Sequence, residues 1–278
     1  MRKFKLINAL GAEFDLMRKD ALFTSPDGLG RSRSQGYEQA GDFLFRTTNK
    51  YKPSAITGEM NFKGYEAYAE FASFLEHEPL TLCYSPIGND TWYFRDVTCE
   101  VLSKSEIQAK SSWLICKIDF LPLGLWYEKT KVYKTEPAIE GNYFTFPLTF
   151  PFTFKDVESG NVLIKNNRPK SAPCKITFYG PLVNPSWALV YNGSTISTGS
   201  LTAEISENEK IVIDADPASI EVSMYDADGF RTDLSQYIDF ETETFIYAPA
   251  GNSTLQVKHD GLSEINVMVE VKQYADAV

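Results

Sequence analysis

Hydrophobic positions along this chain recur mostly at every second residue. Ile56, Met60 and Phe62 share one parity while Thr57, Glu59 and Asn61 take the other, as in a strand with one buried and one wet face. The same period runs through Leu114, Cys116, Ile118 and Phe120, through Ile220, Val222 and Met224, and through Ile265, Val267, Val269 and Val271. One segment departs from it. Over residues 64–78, Tyr68, Phe71, Ala72 and Leu75 recur at three and four residues with Glu66, Glu70 and Glu76 between them, which predicts a single amphipathic helix. Pro79 is expected to stop this helix, after which the chain resumes as an apolar strand over residues 80–85.

Asn192-Gly193, Asp228-Gly229 and Asp260-Gly261 supply turn chemistry between the alternating runs, as does the Ser85 to Asp90 segment. Many short strands divided by such turns predict a mainly β protein of two domains, of sandwich or jelly-roll type, the first carrying the helix. Two stretches lack any apolar period. Residues 24–40, rich in Gly, Ser and charge, are expected to form a long loop that presents Arg31 and Arg33, the kind of loop that is functional or ordered by a partner. Residues 134–168, with Pro137, Pro147, Pro151 and an aromatic-rich run over 143–154, are expected to form a connector lying against one or both domains, because its phenylalanines need burial.

Composition sharpens the division. At 278 residues and 43% hydrophobic, the chain can build two cores. Residues 1–133 carry 17 Lys+Arg and 17 Asp+Glu, whereas residues 134–278 carry 10 and 20, so the net charge of −10 belongs to the second part. Such a shift marks a domain boundary, placing an N-terminal domain at 1–133 and a C-terminal domain at 134–278. It argues against nucleic acid or an anionic membrane as the partner of the second, and simple solubility accounts for the excess. The opening residues are basic, but Glu13 and Asp15 interrupt the apolar stretch of a signal peptide, and no apolar run is long enough to span a bilayer. A soluble protein made in the cytoplasm is expected.

The chemistry-bearing residues are sparse and scattered. Cys83, Cys99, Cys116 and Cys174 lack C-x-x-C spacing and read as reduced, mostly buried thiols. His77 and His259 have no evident catalytic partner; the first sits at the end of the predicted helix and the second beside a turn. Gly28-Leu29-Gly30 lacks the following helix and third Gly of a phosphate loop. Asp226-Ala227-Asp228-Gly229 resembles half of a calcium loop, but Tyr237 stands where the closing Glu belongs. Residues 204–243 hold twelve Asp or Glu against Lys210 and Arg231 alone, leaving weak divalent binding open. No spacing singles out a carboxylate pair, and Trp92, Trp113, Trp126 and Trp187 read as core aromatics before a sugar-stacking platform. No catalytic, cofactor-binding or metal residue is assigned, and no cofactor is expected.

As an ordered set, several segments resemble the distal tail proteins of phages with long non-contractile tails that infect Gram-positive bacteria. In the first part these are Asp27-Gly28-Leu29-Gly30, the strand over 56–62, the helix around Tyr65 to Phe71, the strand over 80–84, Lys104 to Ile107, and Leu123 to Tyr127. In the second they are residues 179–187 and 247–255. The resemblance implies a ring-forming N-terminal β-sandwich or barrel-like domain with one helix and a galectin-like C-terminal β-sandwich, with two alternatives for the last strand: it stays in the second domain or returns to the first. It implies a structural virion protein, not an enzyme, assembling as a homo-hexameric ring at the tail tip. That ring would join the tail tube protein, the tail-associated tip protein and receptor-binding or accessory baseplate proteins. Some relatives carry a long arm on the galectin-like domain, for which residues 160–270 leave little room. A carbohydrate-binding protein that stacks sugars on exposed Trp187 or Tyr191 is the competing reading, and a glycosidase working through two carboxylates the third.

Overall fold

The structure is a computed structural model that describes residues 2–52, 54–88, 90–104, 106, 112–133, 159–239, 241–261 and 263–278. The chain divides into two units: the first comprises residues 1–128 with 274–278, the second residues 129–273.

The first unit is built from β1 (Lys3–Ile7), β2 (Glu13–Asp15), β3 (Ala21–Asp27), β4 (Arg33–Ala40), β5 (Phe43–Tyr51), β6 (Ile56–Lys63), α1 (Tyr65–Leu75), β7 (Leu80–Ser85), β8 (Tyr93–Leu102), β9 (Trp113–Pro122) and the start of β10 (Trp126–Tyr133). Antiparallel pairing runs in the order β2, β1, β7, β8, β9, β6, β3, and β10 meets β8 at Tyr127 and Phe94. Residues of one parity on β6 and β9 are buried, as the period of two requires: Ile56, Met60 and Phe62 face inward with Leu114, Cys116, Ile118 and Phe120.

The helix is the only α-helix among the described residues. Gly64 precedes it at φ 88°, a left-handed conformation that a side chain would resist, and Glu66 lies in the favourable first turn. It ends at Leu75, with Glu76 as C-cap, so Pro79 is not what stops it. The Glu76 and His77 amides donate to Ser73 and Phe74 carbonyls as the last turn tightens, and the chain leaves helical geometry there. Ala67 and Phe71 are its buried face, with the Phe71 ring 4.9 Å from that of Phe14 and 5.5 Å from that of Phe62. Ala275 reaches the same core from the far end of the chain.

The second unit is a two-sheet antiparallel sandwich. Its strands are the remainder of β10, β11 (Ser159–Asn166), β12 (Ala172–Tyr179), β13 (Leu182–Val183), β14 (Ser186–Tyr191), β15 (Ser194–Ser200), β16 (Glu204–Ile205), β17 (Lys210–Asp214), β18 (Glu221–Tyr225), β19 (Arg231–Asp233), β20 (Tyr247–Ala248), β21 (Gly251–Lys258) and β22 (Asn266–Ala275). One sheet runs β19, β18, β17, β12, β22; the other runs β11, β21, β14, β15. Their inner faces share one core, in which Ile164, Leu189, Leu255 and Val257 meet Ile176, Phe178, Ile213 and the valines of β22. Each such side chain removed from water contributes roughly 1.5–3 kcal/mol, which is why strict alternation on β21 and β22 fixes their register.

Three expectations change. Residues 24–40 are not a loop: β3 continues to Asp27, and β4 pairs with β5 from Arg33↔Tyr51 to Ala40↔Phe43. Both faces of that hairpin are largely exposed, so it carries no apolar period to betray it. The connector expected over 134–168 ends sooner, since Ser159–Asn166 pairs along its whole length with β21; residues 134–158, including the aromatic run over 143–154, lie outside the described residues. Ile220, placed by parity with Val222 and Met224, precedes β18 and is 60% exposed.

Candidate interaction surface

The β4–β5 hairpin forms a two-stranded sheet of its own. Eight residues of strand at about 3.3 Å per residue make an arm of roughly 25 Å. Near its tip, Tyr37, Phe43, Leu44 and Phe45 are 54–71% exposed. A two-stranded hairpin alone is marginal in water, and large apolar side chains gathered at an exposed tip mark an interaction surface. Composition does not reveal this, because the strand carrying Tyr37 is otherwise Arg, Ser, Gln, Gly, Glu and Ala.

The root of the hairpin is anchored by polar groups. Arg95, 2% exposed, donates from Nη2 to the Tyr51 hydroxyl and from Nε to the Gly124 carbonyl at 3.0 Å. Its guanidinium also lies 5.3 Å from the Trp126 ring, and burial holds its pKa below the ordinary arginine value. Arg33, expected on the exposed part of a loop, is instead mostly covered and paired with Asp276; Arg31 is 55% exposed, with its Nε 3.7 Å from the same carboxylate.

The other residues of chemical interest are occupied structurally. His259 is buried: its Nε2 is 2.7 Å from the Ser263 carbonyl, and its Nδ1 accepts the Gly261 amide at 3.2 Å. This holds the crossing from β21 to β22 across the Asp260-Gly261 turn. His77 is exposed, and its carbonyl accepts the Ala9 amide at 2.9 Å. Gly28 has φ 81°, and a Cβ there would stand 2.1 Å from the Ala55 carbonyl oxygen. That Gly thus serves a close backbone approach between strands. Asp226 caps the turn between β18 and β19, its Oδ1 accepting the Asp228 and Phe230 amides at 3.0 and 2.8 Å. Among the described residues no three His, Cys, Asp or Glu side chains gather to hold a metal ion, and no helix is long and apolar enough to cross a membrane.

The sugar-stacking aromatics are not on offer. Trp187 is 3% exposed and donates from Nε1 to the Thr244 carbonyl at 3.2 Å, while the half-buried Tyr191 donates its hydroxyl to the Ala250 carbonyl at 3.0 Å. Trp126 is fully buried; Trp92 and Trp113 are partly exposed, Trp92 beneath the Lys5 ammonium at 5.2 Å. Cys83, Cys116 and Cys174 are buried thiols outside any disulfide and Cys99 is half-buried, with burial pushing Cys174 up to about 12 and Cys99 up to about 11.

One face of the second unit carries a row of alternating charge. Asp214 on β17, Lys175 on β12 and Glu270 on β22 are register neighbours, and Lys129 and Lys131 of β10 approach Glu270 at 3.6 and 3.8 Å. Lys175 lies 3.6 Å from Asp214, and Lys272 is paired with Asp216. Opposite charges on adjacent strands stabilise each other by roughly 0.2–1 kcal/mol a pair.

Residues 3–123 match the family model described as the N-terminal domain of distal tail proteins. No curated protein matches the chain by sequence. Among solved structures, a chain of the phage P2 baseplate in its activated conformation with calcium is 16% identical, with a TM-score of 0.72 and 100% of both chains covered. The distal tail protein of phage SPP1, described as a paradigm of the hub adsorption apparatus in phages infecting Gram-positive bacteria, is 10% identical. It has a TM-score of 0.60 over 97% of this chain and 98% of that one. At such identities the likeness is one of fold: a mainly β chain with one helix and several antiparallel sheets, in the arrangement of distal tail proteins.

Proposed function

We propose that this chain is a distal tail protein, a hub component of a phage tail baseplate, whose first unit closes with copies of itself into a hexameric ring. The exposed apolar tip of the β4–β5 hairpin carries this reading. Closed rotational symmetry gives every copy the same neighbour, so an arm that is marginal alone finds a fixed surface on the next copy. The matched N-terminal domain family and the whole-chain likeness to baseplate proteins support it.

In this reading the second unit is galectin-like in fold and holds adhesion or accessory baseplate proteins, the ring meets the tail tube and tip proteins, and the host is Gram-positive. The role is structural, within the virion, and involves no catalysis. A carbohydrate-binding role gains nothing from Trp187 or Tyr191, whose polar atoms are engaged within the chain.

Light scattering of the purified protein, followed by negative-stain imaging, tests the proposal. A mass of six or twelve copies with ring-shaped particles is expected; a monomer at every concentration, with or without tail-tip partner, contradicts it.

A further inference from the structure

The last register pair of the hairpin, Arg33↔Tyr51, is also the pair whose two side chains are both tied to the body of the first unit. On the β5 side, the Tyr51 hydroxyl accepts from Arg95 and donates to the Gly124 carbonyl at 3.3 Å. On the β4 side, Arg33 donates from Nη2 to Asp276, 243 residues further along the chain, with the second unit between them. The Asp276 carboxylate is held firmly. Ala275 is 6% exposed in the core of the first unit, Val278 packs against that core, and the Tyr274 ring meets that of Tyr127 at 6.4 Å, edge to face. Arg33 depends on this partner: its side chain is only 20% exposed and its buried Nε has no hydrogen-bond partner.

From these contacts we infer that Asp276 is a positioning residue for the hairpin: docking of residues 274–278 fixes the direction in which the β4–β5 arm projects. The argument is one of leverage. Between root and tip the two strands pair only with each other, so the angle of an arm roughly 25 Å long is set by what holds its first residue pair. Removing the carboxylate leaves a half-buried guanidinium uncompensated, and the root then loses one of its two attachments. Because residues 274–278 follow the second unit in sequence, the arm takes its direction only in a chain that has passed through that unit and returned. The significance for assembly rests on the ring reading above; the clamp itself does not.

Hydrogen exchange of the full-length protein, at a concentration where it is monomeric, tests the clamp directly. In Asp276→Asn and in Arg33→Gln, amides of residues 33–51 are expected to exchange at least tenfold faster while those of β7 keep their protection, and Asp276→Glu is expected to restore the slow rates. Unchanged exchange over 33–51 in folded samples of both variants overturns the inference, whatever happens to oligomer mass. Faster exchange without loss of oligomer upholds the clamp and counts instead against the hairpin as the ring contact.

Discussion

Trp187 lies against Gly199 on the neighbouring strand so closely that a Cβ on Gly199 would stand 2.4 Å from the indole ring. The indole fills the space a side chain would need, and its other surfaces are in the sandwich core, where the Phe178 ring is 5.7 Å away. Gly199→Ala is therefore expected to destabilise the second unit by roughly 1–3 kcal/mol, the usual effect of forcing extra atoms into a packed site. Denaturant unfolding of the variant measures it; a change within error would mean the indole has room to move.

The hairpin tip should behave in the opposite way. Phe43 and Leu44 are 71% and 70% exposed, so replacing both with Ser removes little packing from the protomer. Surface changes of this kind usually shift stability by no more than about 0.5 kcal/mol each. Self-association should nevertheless fall at least tenfold, read as the concentration for half-assembly in sedimentation velocity, with the melting temperature of the monomer unaltered.

Arg18 joins the β2–β3 connection to the helix, donating to Asp20 at 2.8 and 3.0 Å and to Glu70 at 2.7 and 3.1 Å. Its hydrogen bonds hold the Asp20 carboxyl below the ordinary 3.8. A carboxyl with a lowered folded value stabilises above its unfolded value, and that stabilisation disappears as pH falls through the folded one. With both groups partly exposed the effect should stay below about 1 kcal/mol. Arg18→Gln is expected to bring the Asp20 titration, followed by carboxyl NMR shifts, back towards 3.8 and to flatten the stability profile below pH 4.

At the alkaline end the sign reverses. Burial raises the Cys174 thiol from 9.0 to about 12, so the folded state keeps a proton that the unfolded chain gives up near pH 9. This thiol favours folding fully below pH 9, and its contribution is lost progressively towards pH 12. Cys174→Ala should show a shallower decline in stability between pH 9 and 11 than the parent. In the native protein at pH 8, iodoacetamide should leave Cys174 unmodified, because the reactive thiolate is both scarce and inaccessible.

Periodicity revealed the elements with one buried face. The inward residues of β6, β9 and β22 stand out because each second position goes to a core, and burial of that face is what the sequence records. The β4–β5 hairpin leaves no such record, since neither of its faces is turned to the protomer interior. Ile220 shows the converse limit: parity extends past the end of a strand, but burial does not. The helix was legible from its three-and-four spacing, whereas its end at Leu75 was set by tightening of the last turn, which Pro79 only follows. Pairings such as Arg33 with Asp276 were beyond reach, because nothing local distinguishes either residue from ordinary surface charge. Trp187 had two readings, and only the register that faces it with Gly199 decides between them.

The charged row across β17, β12, β22 and β10 bears on ions in the medium. Each of its carboxylates, Asp214, Asp216 and Glu270, already has an ammonium from the same chain within ion-pair distance. A divalent cation arriving there must displace a tethered competitor whose local concentration no dilution can lower. Two of the acids that make residues 204–243 look like a chelating stretch are thus already paired from within the chain.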